Sequence, residues 1–309
     1  MSFIQNQNSF NEQGRFYRGN LHCHTTQSDG RATPAQRVME YKAAGYDFLA
    51  LTDHNYYSNF TEYTDENFLL LPGVELDCAP NRKEALCYHT IGIALPHKNL
   101  IPAGKVACNK TVTEQIAYLN THGNIAIVAH PYWSQMNMDA FMSLDHIVGF
   151  EVYNSICHTE FGTGFSESYY DYAIKYGRYP LAFASDDYHA ETNRSEPDHF
   201  IGYIMVKASA LTHEAIIEAI LAGSFYASYA GPNIYDFCIR DGEAIIETSA
   251  CRQICLRSPK TSGYAVNSYT DTLTRAEFPL SGNEQVIRAV VTDSRGHISW
   301  TQTLPVLTE

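Results

Sequence analysis

Ile125-Ala126-Ile127-Val128-Ala129-His130-Pro131 is the stretch whose reading decides the fold. Five small or apolar residues in a row deliver a histidine at a strand end, and Pro131 stops the run. Outward from it, from about residue 19 to 229, short apolar runs alternate with helical patterns. The strand-like runs include Phe48 to Thr52, Ile125 to Ala129, Ile147 to Tyr153, Leu181 to Ser185 and Ile201 to Val206. The helix-like segments include Thr33 to Ala44, Thr111 to Thr121 and Leu211 to Ala222. Pro34 lies just inside the first of these, and Gly45 and Gly223 follow the first and the last, where helix start and stop signals belong. Strands alternating with helices indicate parallel βα units, closed as a barrel or left as an open sheet.

The pattern changes near Gly231-Pro232. Beyond it come only β-type runs, Tyr235 to Ile239, Ala244 to Thr248, Arg252 to Leu256 and Val286 to Thr292, separated by turns such as Asp241-Gly242 and Ser281-Gly282-Asn283. The expected organisation is an α/β domain over residues 1–229 and a small all-β, sandwich-like domain over 230–309.

Composition narrows the function classes. The net charge of −13 weighs against binding long nucleic acid, which needs Lys and Arg to displace counterions from phosphates. A small phosphorylated substrate stays possible, because bound cations reverse the sign of a site locally. No run of about 18 apolar residues occurs, so no membrane span is expected, and the opening residues lack a signal-peptide core. The eight cysteines form no CxxC pair and read as reduced thiols, which makes the cytoplasm the default location. Thirteen histidines are more than a neutral scaffold needs.

Those histidines concentrate where such folds bind ligands, beyond the carboxyl ends of strands. In Leu21-His22-Cys23-His24-Thr25 the two-residue spacing puts both imidazoles on one strand face, with Cys23 pointing away as a buried thiol. Ser28-Asp29-Gly30 follows with a carboxylate on a turn. Leu49 to Thr52 runs straight into Asp53-His54; Asp53 either orients His54 or caps the next element. Glu75 ends the segment Leu71 to Leu76, His89 starts a strand-like run, and Leu181 to Ser185 leads into Asp186-Asp187-Tyr188-His189. Asp187 and His189 share a face by the same two-residue rule, and Asp186 points the other way. Each motif alone has a bland reading as a packing pair, a cap or a solvated acid. Six histidines and three acids together at the ends or starts of separate strands do not scatter that way.

The ordered set HCHT…SDG, LTDH, GVEL, His89, AHP and SDDYH resembles the polymerase and histidinol phosphatase (PHP) family of metallophosphoesterases over roughly residues 18–229. The resemblance implies a distorted barrel of seven βα units, (β/α)7, with a cluster of two or three metals at its carboxyl end. It implies that His22 and His24 bind the first metal with Asp187, and that Glu75 bridges the first and second. His89 and His130 complete the second, and Asp29, His54 and His189 hold the third; some family members carry histidine at the position of Asp29. The β tail resembles the extra domain of a bacterial subgroup.

Mixed imidazole and carboxylate ligation suits Zn, Mn or Fe better than Mg or Ca. A hydroxide bridging two metals would attack phosphorus, with Glu75, Asp187 and His189 as the expected catalytic groups. Arg18 and Arg194 lie near the first and last motifs in sequence; each either clamps a phosphate or is an ordinary surface arginine. Tyr132, Trp133 and Tyr188 flank ligand motifs and either wall the pocket or pack the core. Hydrolysis of a small phosphate ester is the favoured function, against an amidohydrolase acting on a C–N bond and a non-catalytic metal-binding module. The amidohydrolase reading expects a strand-end bridging lysine, and none falls in the ligand motifs.

Overall fold

The computed structural model describes residues 7–10, 13–77, 87–107, 110–190, 199–259 and 261–307. Its helices and strands follow the apolar runs closely. The run around Ile127 is a strand, Asn124–Val128, every residue of which is buried. Gly149–Asn154 lies beside it in parallel register, and Leu181–Ser185 lies parallel on the far side of Gly149–Asn154. Helices Pro34–Ala43 and Val112–Thr121 each begin with a capping box, Thr33 with Gln36 and Thr111 with Glu114. Such a cap satisfies two otherwise orphaned backbone donors and contributes about 1 kcal/mol.

The molecule is a mixed α/β structure dominated by sheet. One five-stranded sheet runs Leu181–Ser185, Gly149–Asn154, Asn124–Val128, Thr90–Ala94, Gly73–Leu76. The larger, ten-stranded sheet includes, neighbour by neighbour, Val286–Thr292, Ile298–Thr301, Phe225–Tyr229, Gly202–Ala208, Arg15–Asn20, Phe48–Ala50 and Leu69–Leu71. Uniformly parallel pairing is not what forms. Thr90–Ala94 is antiparallel to both of its neighbours, and so is Gly202–Ala208. Helices Val112–Thr121 and His213–Leu221 lie in the connections after these two strands, yet the strand that follows each one returns antiparallel. No closed barrel exists among the described residues. The two sheets meet instead at their rims, through isolated bridges Cys23 to Tyr188 and His54 to Glu75.

The β-rich segment beyond residue 231 is stitched to what precedes it. Ile298–Thr301 pairs antiparallel with Phe225–Tyr229 in the larger sheet. Trp300, fully buried, stacks near Tyr153, and Tyr153 stacks on Tyr229 at 4.5 Å. The Gln302 amide takes the place of a strand against Leu181–Ser185, accepting from Ala182 N–H at 2.8 Å and donating to its carbonyl at 2.9 Å. A four-stranded sheet, Gln7–Asn8, Ile234–Arg240, Glu243–Cys251 and Leu273–Pro279, shares a core with the outer strands of the larger one through Phe237, Ile246, Phe278, Ile254 and Val291. Each such fully buried side chain contributes about 1.5–3 kcal/mol.

Two expectations are settled by these elements. Cys23, Cys157, Cys238, Cys251 and Cys255 are free thiols, but Cys87 is disulfide-bonded, which corrects the reading of all eight as reduced. No helix among the described residues is long and apolar enough to cross a membrane.

Candidate metal centre

Backbone pairing brings the ligand-bearing segments together where the two sheets meet. Asp187 N–H donates to the His22 carbonyl at 2.8 Å and His24 N–H to the Tyr188 carbonyl at 3.0 Å, so HCH and DYH run side by side. Asn55 N–H donates to the Glu75 carbonyl at 2.8 Å, tying the end of Phe48–Ala50 to Gly73–Leu76. Cys23 points away from both and offers its thiol to the Ala50 carbonyl. Asp53 makes no side-chain hydrogen bond to His54 among the described residues. It accepts from Thr25 N–H and hydroxyl, Ser28 N–H and hydroxyl, and the Ser58 hydroxyl, and so holds the loop that carries Asp29. Gly30 in that loop has no room for a side chain, since a Cβ there would sit 2.5 Å from the His24 carbonyl carbon. Asp186 is structural too, accepting from the Tyr41 and Ser155 hydroxyls and from the N–H groups of Phe200, Ile201 and Gly202.

Glu75 is the centre of the constellation. Its fully buried carboxylate lies 2.9 Å from His54 Nδ1, 2.9 Å from His89 Nδ1, 3.2 Å from His22 Nε2, 3.3 Å from His130 Nε2 and 3.4 Å from His24 Nε2. Asp187 faces His24 Nε2 at 3.0 Å and His22 Nε2 at 3.1 Å. At the rim, Asp29 lies 3.4 Å from His189, 3.6 Å from His24 and 3.7 Å from His54. Four groupings place their donor atoms close enough to share a cation: His22, His24 and Glu75; His22, His130 and Asp187; His54, Glu75 and His89; and His24, Asp29, His54 and His189. All nine residues expected from the sequence therefore fall into one connected cluster. His130 and Asp187 adopt φ of 26° and 55°, a left-handed backbone uncommon for residues other than glycine and the kind of strain that gathers at functional sites.

The donor set fits divalent cations. Glu75 Oε2, His54 Nδ1 and Asp187 Oδ1 are buried and make no hydrogen bond of acceptable geometry, although each is crowded by groups of the cluster. A shared cation satisfies such atoms where a hydrogen bond does not. Ionisation in the metal-free protein is uneven. Burial works against charge on His22, His24, His54, His89 and His189, but Asp187, Glu75 and Glu151 more than reverse that at His22, which rises well above its ordinary value. Glu75 and Asp29 likewise override burial and raise His54 to about 9, while burial with His189 and His54 alongside lowers His24 to about 3. His89 is also lowered, by burial. The surrounding imidazoles outweigh burial at Asp29, Glu75 and Asp187, all of which are depressed.

A pH profile follows. Groups raised in the fold, His22, His54 and His189, contribute stability that is complete below about 6.5 and lost as pH climbs toward 9. Lowered imidazoles, His24 and His89, do the opposite and remove stability as pH falls below about 6.5. Metal-free protein should therefore melt highest near pH 6.5, with His54 alone accounting for at most about 3 kcal/mol lost by pH 9. Thermal melting in chelator across pH 4 to 10 measures it. A melting temperature that stays level from 6.5 to 9 would contradict the assignment. Added divalent metal should abolish the alkaline fall, because ligation requires neutral imidazoles.

Above the cluster opens a cavity of about 330 Å³. Asp29, His54, Glu75, His89, His130, Asp187 and His189 reach it, and His22 and His24 are buried beneath. Trp133, Ile156 and Phe161 form an apolar wall, with Trp133 4.8 Å from the His130 ring, and Glu160 joins the lining. The other flanking aromatics do not take part. Tyr132 is exposed outside the lining, and Tyr188 is core, stacked on His199 with the Arg37 guanidinium 4.2 Å over its ring. Arg18 is placed away from the cavity. Its guanidinium is sandwiched between Tyr46 and Tyr203 and donates to the Phe200 carbonyl at 2.7 Å. Arg194 lies outside the described residues.

One participant was not read from the sequence. Glu151, buried in the middle of Gly149–Asn154, faces His22 Nδ1 at 2.8 Å and accepts from His130 N–H at 2.8 Å. The only signal for it is a single acid inside the apolar run Ile147 to Tyr153.

No sequence-family model matches the chain, and no curated protein does. Among solved structures, a two-domain protein of Bacteroides vulgatus containing a predicted PHP-like metal-dependent phosphoesterase superposes with a TM-score of 0.52 at 15% identity, over 98% of this chain and 99% of that one. A protein of Bifidobacterium adolescentis that carries the name of a metal-dependent phosphoesterase matches 59% of this chain and 91% of its own at TM-score 0.43 and 16% identity. An amidohydrolase from Chromobacterium violaceum, with bound sulfate and no metal, matches 67% and 96% at TM-score 0.42 and 16% identity. The first establishes a fold similar to that PHP-like two-domain architecture along nearly the whole chain; the other two superpose too loosely to bear on function.

Proposed function

We propose that the chain is a metal-dependent phosphoesterase that hydrolyses small phosphate monoesters, nucleotides included. It would hold up to three divalent ions (Zn, Mn or Fe) through His22, His24, Asp29, His54, Glu75, His89, His130, Asp187 and His189. The observation that carries this reading is the Glu75 carboxylate with five imidazoles from four segments within 3.4 Å of it, on the floor of an open cavity. Bound divalent ions would supply Lewis acidity toward phosphoryl oxygens and a lowered pKa for attacking water.

The chain's own residues do the rest. Glu75 and Asp187 hold the imidazoles in one cluster from the two outer strands of the five-stranded sheet, and turnover should depend on both. His189 has a quarter of its side chain exposed and stands between Asp29 and Asp187, so it reaches substrate at the mouth. Trp133 and Phe161 give the leaving group an apolar surface and thin the water around it. No lysine among the described residues lines the cavity, which leaves the amidohydrolase alternative without its bridging group.

Selectivity follows from charge. A polymer meets the field of the whole protein, net −13, at every phosphate, whereas a small ester meets mainly the local cations. Activity should appear on phosphomonoesters with Mn or a similar ion, be competed by inorganic phosphate and vanish with chelator. The comparison that tests it sets a mononucleotide panel against single-stranded DNA at matched phosphate concentration. Faster cleavage of internal DNA linkages than of any monoester would replace this reading with a nuclease. Metal analysis of protein loaded with Mn or Zn should find about three equivalents, by the usual number of ligands per ion; a ceiling of one would defeat the cluster.

A further inference from the structure

Glu151 and Asn154 stand three residues apart on one strand, which in a regular strand puts side chains on opposite faces. A register irregularity between Glu151 and Tyr153 lets Asn154 share the face of Glu151, toward the ligands. The Glu151 carboxylate is 1% exposed, and four donors converge on it. Oε1 faces His22 Nδ1 at 2.8 Å and takes the Ser185 hydroxyl; Oε2 takes His130 N–H at 2.8 Å and Asn154 Nδ2 at 2.8 Å. Asn154 Nδ2 also reaches Asp187 Oδ2 at 3.1 Å. Two side chains thus touch His22, His130 and Asp187, which are together one of the cation-sized groupings. Neither bonds to Asp29, His54 or His189 among the described residues.

We infer that Glu151 and Asn154 are positioning residues that build the His22–His130–Asp187 subsite independently of the rim group. This inference rests on the metal-cluster reading above. A carboxylate only accepts, so His22 must carry its hydrogen on Nδ1 and turn Nε2 toward Glu75 and Asp187. The same carboxylate grips His130 N–H, where the backbone is left-handed at φ 26°, and so fixes the direction of that imidazole. Asn154 then sets the second oxygen of Asp187. Ligand-orienting partners of this kind typically change metal affinity about 10- to 100-fold when removed.

Glu151→Gln tests this, because the amide NH₂ must confront a donor whichever way it is turned. Equilibrium dialysis with Mn should show binding that draws on His22 and His130 weakened by about 10- to 100-fold and the rim equivalent on Asp29, His54 and His189 as in wild type. ¹⁵N-histidine spectra of the metal-free variant should show the Nδ1–H signal of His22 displaced. Asn154→Ser is the second variant: its hydroxyl preserves the cap on Cys157 N–H while the two N–H donors are lost, and it should weaken the same binding. If Glu151→Gln does not fold, Asn154→Ser decides. Unchanged Mn affinity in whichever variant folds, or a lowered melting temperature alone, would overturn the inference. If wild type itself binds no Mn, it is the phosphoesterase reading that fails.

Discussion

Glu75→Gln is expected to lower turnover on phosphomonoesters by more than about 10²-fold, since partners that merely orient a ligand already cost 10- to 100-fold and Glu75 faces the imidazoles directly. The change is isosteric and leaves backbone pairing with Asn55 intact, so the fold should persist. It removes the one anion that five imidazoles share, and metal equivalents should fall with the activity. Initial rates across a monoester panel with Mn, together with metal analysis of the same preparation, measure the effect. Near-normal turnover at full metal content would take Glu75 out of the site.

Ending the chain at residue 229 is expected to prevent recovery of folded protein. The compositional change at Gly231-Pro232 invites the opposite expectation, of an α/β unit that holds metal unaided. The sheet argues against it, because Phe225–Tyr229 would lose the strand Ile298–Thr301 from its interior flank, and Ala182 would lose both bonds to Gln302. The graded version is Trp300→Ala, which empties a fully buried indole site and should cost about 3–5 kcal/mol. Denaturant titration of full-length protein reads the second, and expression of the 1–229 fragment reads the first. A soluble, metal-binding fragment would show that the sheet is not needed to build the site.

Most of the site is written in strand-end residues, and the reason is local. An apolar run that terminates in His or Asp announces both a buried strand and what it delivers, as at Val128 to His130 and Ala184 to Asp187. Glu151 escapes that logic because it lies inside its strand, where a lone acid carries no strand-end signal. Arg18 misleads for the converse reason: nearness in sequence to His22 says nothing about the face it occupies, and its partners are Tyr46 and Tyr203. Direction of pairing is similarly hidden. Thr90–Ala94 reads as one more apolar strand, and only its partners make it antiparallel. The strands Arg15–Asn20 and Ile298–Thr301, which join the two halves of the larger sheet, carry charged or polar residues and give little apolar signal.

The Gln302 amide on Ala182 has a bearing on colloidal behaviour. Leu181–Ser185 is the outermost strand of its sheet, five residues with no charge and no proline; left bare it would be the kind of edge on which another polypeptide can add itself and nucleate insoluble assemblies, but it is packed against Gly202–Ala208 and Phe225–Tyr229. By occupying the N–H and the carbonyl of Ala182, the glutamine removes a docking point from that edge without adding a strand. The segment that delivers Asp187 and His189 can thus stay uncharged and apolar, as burial demands, because two strands of the larger sheet cover it and one amide takes up the polar groups of Ala182.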